Sequence, residues 1–277
     1  MSKIKIGFST CPNDTFIFDA MIHNKIDTEG LVFDIFLGDV EELNKMAFNT
    51  ELDITKLSYH AYAHLWKKYA ILNSGSALGR NNGPILISKR KIYPDEVNDI
   101  KIAIPGRNTT ANLLFTIAYP KANNKIEYLF SDIEEAIHSN EVDAGLIIHE
   151  TRFTYEKAGF KKIIDLGEFW ENHTQSPIPL GGIVVKKNLD TKIQNTIDRV
   201  LKRSIEFAFN NPKSSISFMK QYAQEMNDDV MQQHIQLYVN NFSFNLGNEG
   251  RKAINTLYTE AFKLQLIPEL PSDIFVD

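Results

Sequence analysis

Cysteine is almost missing from this chain. Cys11 is the only one in 277 residues, which excludes an intramolecular disulfide and agrees with a reducing compartment. Long apolar runs are missing too, and nothing approaches the roughly 20 apolar residues of a membrane span. At the amino terminus, MSKIKIGFSTCPND, Cys11 to Asp14 interrupt the apolar residues before a secretory h-region of about 7 to 15 residues can form. The expectation is a cytoplasmic protein without a membrane partner. Positive charge is in deficit, with 30 Lys plus Arg against 35 Asp plus Glu and a formal net charge of −5. Such a chain has no field to attract a polyanion, so nucleic acid is not an expected partner. The glycine-rich stretch SGSALGRNNGP, Ser74 to Pro84, fits neither GxGxxG nor GxxxxGK[ST], which removes the usual grounds for a dinucleotide or nucleoside triphosphate.

What is present is core material: 43% hydrophobic residues and 11% aromatic ones, enough for one large or two medium domains. The elements alternate. Lys3 to Ser9 reads as a strand, and Pro12, Asn13 and Asp14 then open a helix with Phe16, Ile17, Ala20 and Met21 at helical spacing. Helix capping accounts for Asn13 or Asp14 but not for both. Leu31 to Leu37 and Leu52 to Leu57 read as strands around a helix at Val40 to Phe48, and the last of these strands ends on Lys56, Leu57 and Ser58. In PGRNTTANLLF, Pro105 and Gly106 turn the chain out of the strand Ile100 to Ile104. Thr109 or Thr110 then caps a helix from Ala111. One threonine suffices for the cap. The second is surplus, and with the free N–H groups of the helix it makes a cradle for a carboxylate or polyol, with Arg107 as a countercharge.

DAGLIIHETRF, Asp143 to Phe153, sets a histidine where a buried strand gives way to charge. His149 is either a hydrogen-bonded strand terminus or a general base at the carboxyl edge of a sheet, the edge where open α/β sheets bind ligands. His60 and His64 stand four apart, a metal-ligand spacing, but no HExxH-type acid or third ligand accompanies them. Tyr59, Tyr62, Ala63 and Trp66 make a packed amphipathic helix the better account.

After about Asp190 the pattern is helical only, with Ile197, Val200, Leu201, Ile205 and Ala208 on one face, and further helices at Ser215 to Tyr222, Val230 to Val239 and Glu249 to Leu264. The expected architecture is α/β in two lobes. Residues 1–100 and 188–277 form a large lobe with the helical carboxyl-terminal segment packed on it, 101–187 form a small lobe, and a ligand cleft lies between them.

Taken as a set, STCPNDTFIF, TKLSYHAYA, SGSALGRNNGP, IPGRNTTANLL, DAGLIIHETRFTY, PIPLGGI and YVNNFSFNLG closely resemble the 1,4-dihydroxy-6-naphthoate synthase family of the futalosine route to menaquinone, over nearly the whole chain. The resemblance implies a periplasmic-binding-protein-like (type II) fold. It also implies a carbon–carbon lyase acting on cyclic dehypoxanthinylfutalosine, a small-molecule substrate with a carboxylate, and no metal or organic cofactor. His149 matches the family's catalytic base. Lys56, Leu57, Ser58, Thr109 and Thr110 match its substrate-binding segments, and Asn13 and Asp14 lie in its amino-terminal motif. Thr10 stands where proline is expected, and Asn108 fills a variable-looking place; neither removes a group the chemistry needs. Cys11 is read as packing or touching substrate rather than as a nucleophile, since the histidine already supplies a base. Two rivals are a chorismate dehydratase-like enzyme of the same pathway, for which the GLIIHE histidine is not expected, and a solute-binding protein that clamps a small anion without chemistry. The lack of an export signal argues against the second.

Overall fold

The computed structural model describes residues 3–222 and 227–276, and for Glu150 the backbone alone. In chain order the first elements are β1 (Ile4–Phe8), α1 (Pro12–Ile22), β2 (Phe33–Leu37), α2 (Val40–Phe48), β3 (Ile54–Ser58), α3 (Tyr59–Tyr62), β4 (Tyr69–Ile71), β5 (Ala77–Gly79) and β6 (Ile85–Ser88). The middle of the chain holds β7 (Ile102–Ile104), α4 (Thr110–Ala118), β8 (Lys125–Glu127), α5 (Ile133–His138), β9 (Ala144–Ile147), β10 (Lys161–Asp165), α6 (Leu166–Thr174) and β11 (Ile178–Lys186). Among the described residues, the helices that follow are α7 (Thr191–Asn210), α8 (Ile216–Tyr222), α9 (Asp228–Tyr238), α10 (Asn241–Phe244) and α11 (Gly247–Lys263).

The strands of the described residues form two sheets. The first has the order β2-β1-β3-β11-β4, with β5 also paired to β11; the second runs β10-β6-β9-β7-β8. In the first, β1 is parallel to β2 and β3, and β11 returns antiparallel to β3, β4 and β5. In the second, β7 is parallel to β8 and β9, while β6 is antiparallel to β9 and β10. This differs from the expected division of the chain at two places. β6 precedes residue 101 yet pairs in the second sheet, and β11 precedes residue 188 yet pairs in the first. A buried apolar run announces a strand, but its period carries no information about which sheet receives it.

In the helical tail α7 packs on the first lobe, while α9 also meets the turn after β9 and α11 also meets α4. Ile197, Val200, Leu201, Ile205 and Ala208 of α7 are all buried, and they join Phe8, Phe16, Phe18 and Ile183 in one apolar cluster. At about 25 cal/mol per Å² of apolar surface, that stripe is what holds α7 in place. Ser204, on the same face, donates to the Ile17 carbonyl at 2.6 Å. The helix expected across SYHAYAHLW is shorter than its pattern, ending at Tyr62. α6 was not legible from apolar spacing; Asp165 starts it by accepting from the amides of Gly167 and Glu168. No helix among the described residues is long and apolar enough to cross a membrane.

Candidate active site between the lobes

Each of the four polar junctions read from the sequence reaches one cavity of about 90 Å³. Its lining includes Asn13 and Asp14 from the start of α1, Lys56, Leu57 and Ser58 from β3, Thr109, Thr110 and Ala111 from the start of α4, and His149 after β9. Arg107 does not join them. It is exposed and paired with Glu127 at 2.6 Å, outside the cavity lining.

The floor on the first lobe is a closed polar network. Asp14 is fully buried and accepts from the Ser9 amide at 3.1 Å, the Ser9 hydroxyl at 2.8 Å, Asn13 Nδ2 at 2.7 Å and Lys56 Nζ at 2.9 Å. These bonds satisfy a carboxylate that would otherwise be costly to bury. Because the Asn13 amide turns its nitrogen to Asp14, its oxygen faces His234, whose Nε2 lies 2.9 Å away. That contact places the His234 proton on Nε2.

The second lobe contributes donors suited to an anion. Thr109 is the N-cap of α4, and its hydroxyl accepts from the Asn112 amide and donates to the Gly106 carbonyl at 2.8 Å. The surplus threonine has a structural duty: the Thr110 hydroxyl donates to the Leu180 carbonyl of β11 at 2.5 Å. Both hydroxyl protons are therefore spent. The donors left for a ligand are the amides of Thr110 and Ala111, which lie in the first helical turn and have no intrahelical acceptor. Ser58 accepts from Asn44 Nδ2 at 3.1 Å, so its own proton remains to be given.

His149 sits at φ 60°, in the left-handed region. A non-glycine residue there costs of order 1 kcal/mol or more, and such strain persists where surrounding packing imposes it. Phe130 meets the ring edge-on with centroids 4.7 Å apart, and His234 stacks at 6.3 Å. Nδ1 lies 3.3 Å from Cys11 Sγ, and Nε2 is buried with no hydrogen-bond partner among the described residues. Burial lowers the imidazole pKa to about 4, the Asp14 charge raises it, and the Lys56 charge lowers it further. The ring is thus neutral at pH 7 and able to take a proton.

Other contacts tie the lobes together. Glu41 on α2 accepts from Asn108 Nδ2 at 2.7 Å, and His60 Nδ1 lies 3.3 Å from the Thr109 carbonyl oxygen. Burial raises the Glu41 pKa against the pull of Asn44 and Asn108. Burial, reinforced by His64, lowers that of His60 to about 4. Among the described residues no group of three or more His, Cys, Asp or Glu is arranged to hold a metal.

The sequence reading missed His234, Tyr238, Asn82, Leu180 and Gly181, all of which line the cavity. For His234 a signal was available. It shares the buried stripe of α9 with Met231 and Tyr238, just before the YVNN motif. Asn82 is fully buried, and neither atom of its amide has a partner among the described residues.

Two α/β lobes with a polar cleft between them define the periplasmic-binding-protein class of fold. The alkanesulfonate-binding protein of Xanthomonas axonopodis pv. citri, 11% identical, superposes over 100% of this chain and 96% of its own with a TM-score of 0.71, which speaks to fold alone. Within that class the chain belongs to the menaquinone biosynthesis family, whose profile matches residues 4–263. It is 38% identical over 276 residues, the full length of both chains, to 1,4-dihydroxy-6-naphthoate synthase of Thermus thermophilus. It is 36% identical to the enzyme of that name from Streptomyces coelicolor, over 98% of this chain and 96% of the relative. A crystal structure of an Archaeoglobus fulgidus protein, 35% identical, covers 96% of this chain and 98% of its own with a TM-score of 0.91.

Proposed function

We propose that the chain is a carbon–carbon lyase that converts cyclic dehypoxanthinylfutalosine to 1,4-dihydroxy-6-naphthoate, with His149 as general base. One observation carries the reading: a neutral imidazole, its Nε2 without a partner among the described residues, lines the same cavity as the start of α4. The substrate carboxylate docks on the amides of Thr110 and Ala111 and the Ser58 hydroxyl, which leaves its sugar-derived carbons toward His149. Nε2 removes a proton from a sugar hydroxyl. The freed electron pair forms the carbonyl as the adjacent carbon–carbon bond breaks, and the electrons of that bond pass into the new ring, which becomes aromatic. The fragment leaves as a neutral carbonyl compound, and the proton held on His149 is then available to the ring oxygen on which those electrons settle, so no oxidant or reductant is consumed.

The test is direct. Purified chain is incubated with cyclic dehypoxanthinylfutalosine and, in parallel, with chorismate, and products are followed by chromatography. Formation of the dihydroxynaphthoate from the first alone is expected. Recovery of the cyclic compound unchanged refutes the lyase reading and leaves a binder; dehydration of chorismate instead moves the chain to the sister reaction.

A further inference from the structure

Cys11 and His149 belong to different lobes, yet Sγ stands 3.3 Å from Nδ1. The sulfur does not cap its own helix, although Cys11 occupies the N-cap position of α1, with Pro12 next in line and φ −64°, ψ 149° at Cys11. The Ser9 hydroxyl lies 3.4 Å from the Cys11 amide, and the Thr15 amide and hydroxyl both donate to its carbonyl at 3.0 Å. The backbone that carries the thiol is thereby held on both sides. On the far side, the His149 ring is clamped by Phe130 and His234.

A neutral imidazole in this setting has two forms. If the thiol donates to Nδ1, the ring proton is on Nε2 and that nitrogen can accept nothing. If Nδ1–H donates to sulfur, the lone pair is on Nε2. We propose that Cys11 is a positioning residue for His149, its sulfur accepting Nδ1–H and so fixing the lone pair on Nε2. This rests on the reading of His149 as the base. The geometry favours it, because a proton on Nε2 would be a buried donor with no acceptor among the described residues, whereas a proton on Nδ1 has the sulfur beside it. The imidazolium formed during proton abstraction keeps the same N–H···S contact. Since the two residues come from separate lobes, the base acquires its working tautomer only when the lobes are together.

The contact can be read without any substrate. In full-length protein labelled with ¹⁵N-histidine, long-range proton–nitrogen correlation spectra show which ring nitrogen carries hydrogen, and the His149 signals are assigned by their loss in His149→Gln. The expected result is Nδ1–H in the wild type, a mixture of tautomers in Cys11→Ala, and recovery of Nδ1–H in Cys11→Ser, whose oxygen also accepts. Turnover of the cyclic substrate should follow, with kcat down about ten-fold in Cys11→Ala, KM nearly constant, and most of the loss restored in Cys11→Ser. A proton on Nε2 in the wild type, or a tautomer indifferent to Cys11→Ala, overturns the proposal. If the tautomer responds but the cyclic compound is not converted, the contact stands and the lyase reading falls.

Discussion

Lys56 and Asp14 form an ion pair of 2.9 Å beneath the cleft, with side-chain exposures of 8% and 0%. Removing one partner leaves the other charge buried. Lys56→Met should therefore lower folding stability by about 3 to 5 kcal/mol, even though Ser9 and Asn13 go on donating to Asp14. Replacing both with apolar residues of similar size should cost less than the single change. Urea unfolding of the two variants against wild type decides it, and a single variant as stable as wild type shows that the pair contributes nothing net.

With His149 as the proposed base, its titration is expected to set the pH dependence. Its base form is the neutral ring, and burial lowers its pKa to about 4, so protonation removes activity only below that value. The profile of kcat/KM, which reports the free enzyme, should stay flat as pH falls from 8 to about 5 and descend near 4. A descent centred on 6.5 means the imidazole is solvated in the working enzyme. His149→Ala should lower kcat by about 10² to 10⁴-fold with little change in KM.

The junctions that matter were visible because a strand ending in turn and cap residues is a local signal. Asn13 and Asp14 follow β1, Thr109 and Thr110 follow β7, and His149 follows β9; within each of the two sheets, chain direction alone brings such ends to the carboxyl edge. The buried face of α7 was equally legible from its period. What stayed hidden depends on distant parts of the chain. No spacing rule tells that β6 joins the second sheet and β11 the first, or that His234 arrives from the tail to meet Asn13. The threonine pair shows the same limit more finely. Their position was readable, but the commitment of both hydroxyls, to Gly106 and Leu180, appears only once β11 is in place.

Gly106 marks a close approach between lobes. Its φ is +141°, and a Cβ there would come within 2.6 Å of the Glu41 carboxyl carbon, the group that accepts from Asn108. Gly159 is a built-in control, also at positive φ (+87°) but with nothing within 4 Å of where a Cβ would stand. Gly159→Ala should cost about 1 kcal/mol from backbone strain alone, and Gly106→Ala clearly more, with a rise in KM as the Glu41–Asn108 contact is pushed apart. Equal losses in the two variants, measured by thermal unfolding, would show that the crowding at Glu41 relaxes freely.

Thr110 separates amide from hydroxyl at the proposed carboxylate site. Thr110→Val removes only the hydroxyl and with it the bond to the Leu180 carbonyl, whereas Thr110→Pro also removes the N–H. Proline is tolerated at this first helical position, and the preceding Thr109, at φ −74° and ψ 147°, already has the extended backbone that proline requires of its neighbour. A hydrogen bond to a charged group contributes about 1.5 to 3 kcal/mol. Thr110→Pro should therefore raise KM by about one to two orders of magnitude beyond Thr110→Val, with similar stability in the two proteins. Equal KM values would mean that the carboxylate is held elsewhere. The Ser58 hydroxyl would then be the group to replace, since it alone among the proposed donors lies on the first lobe.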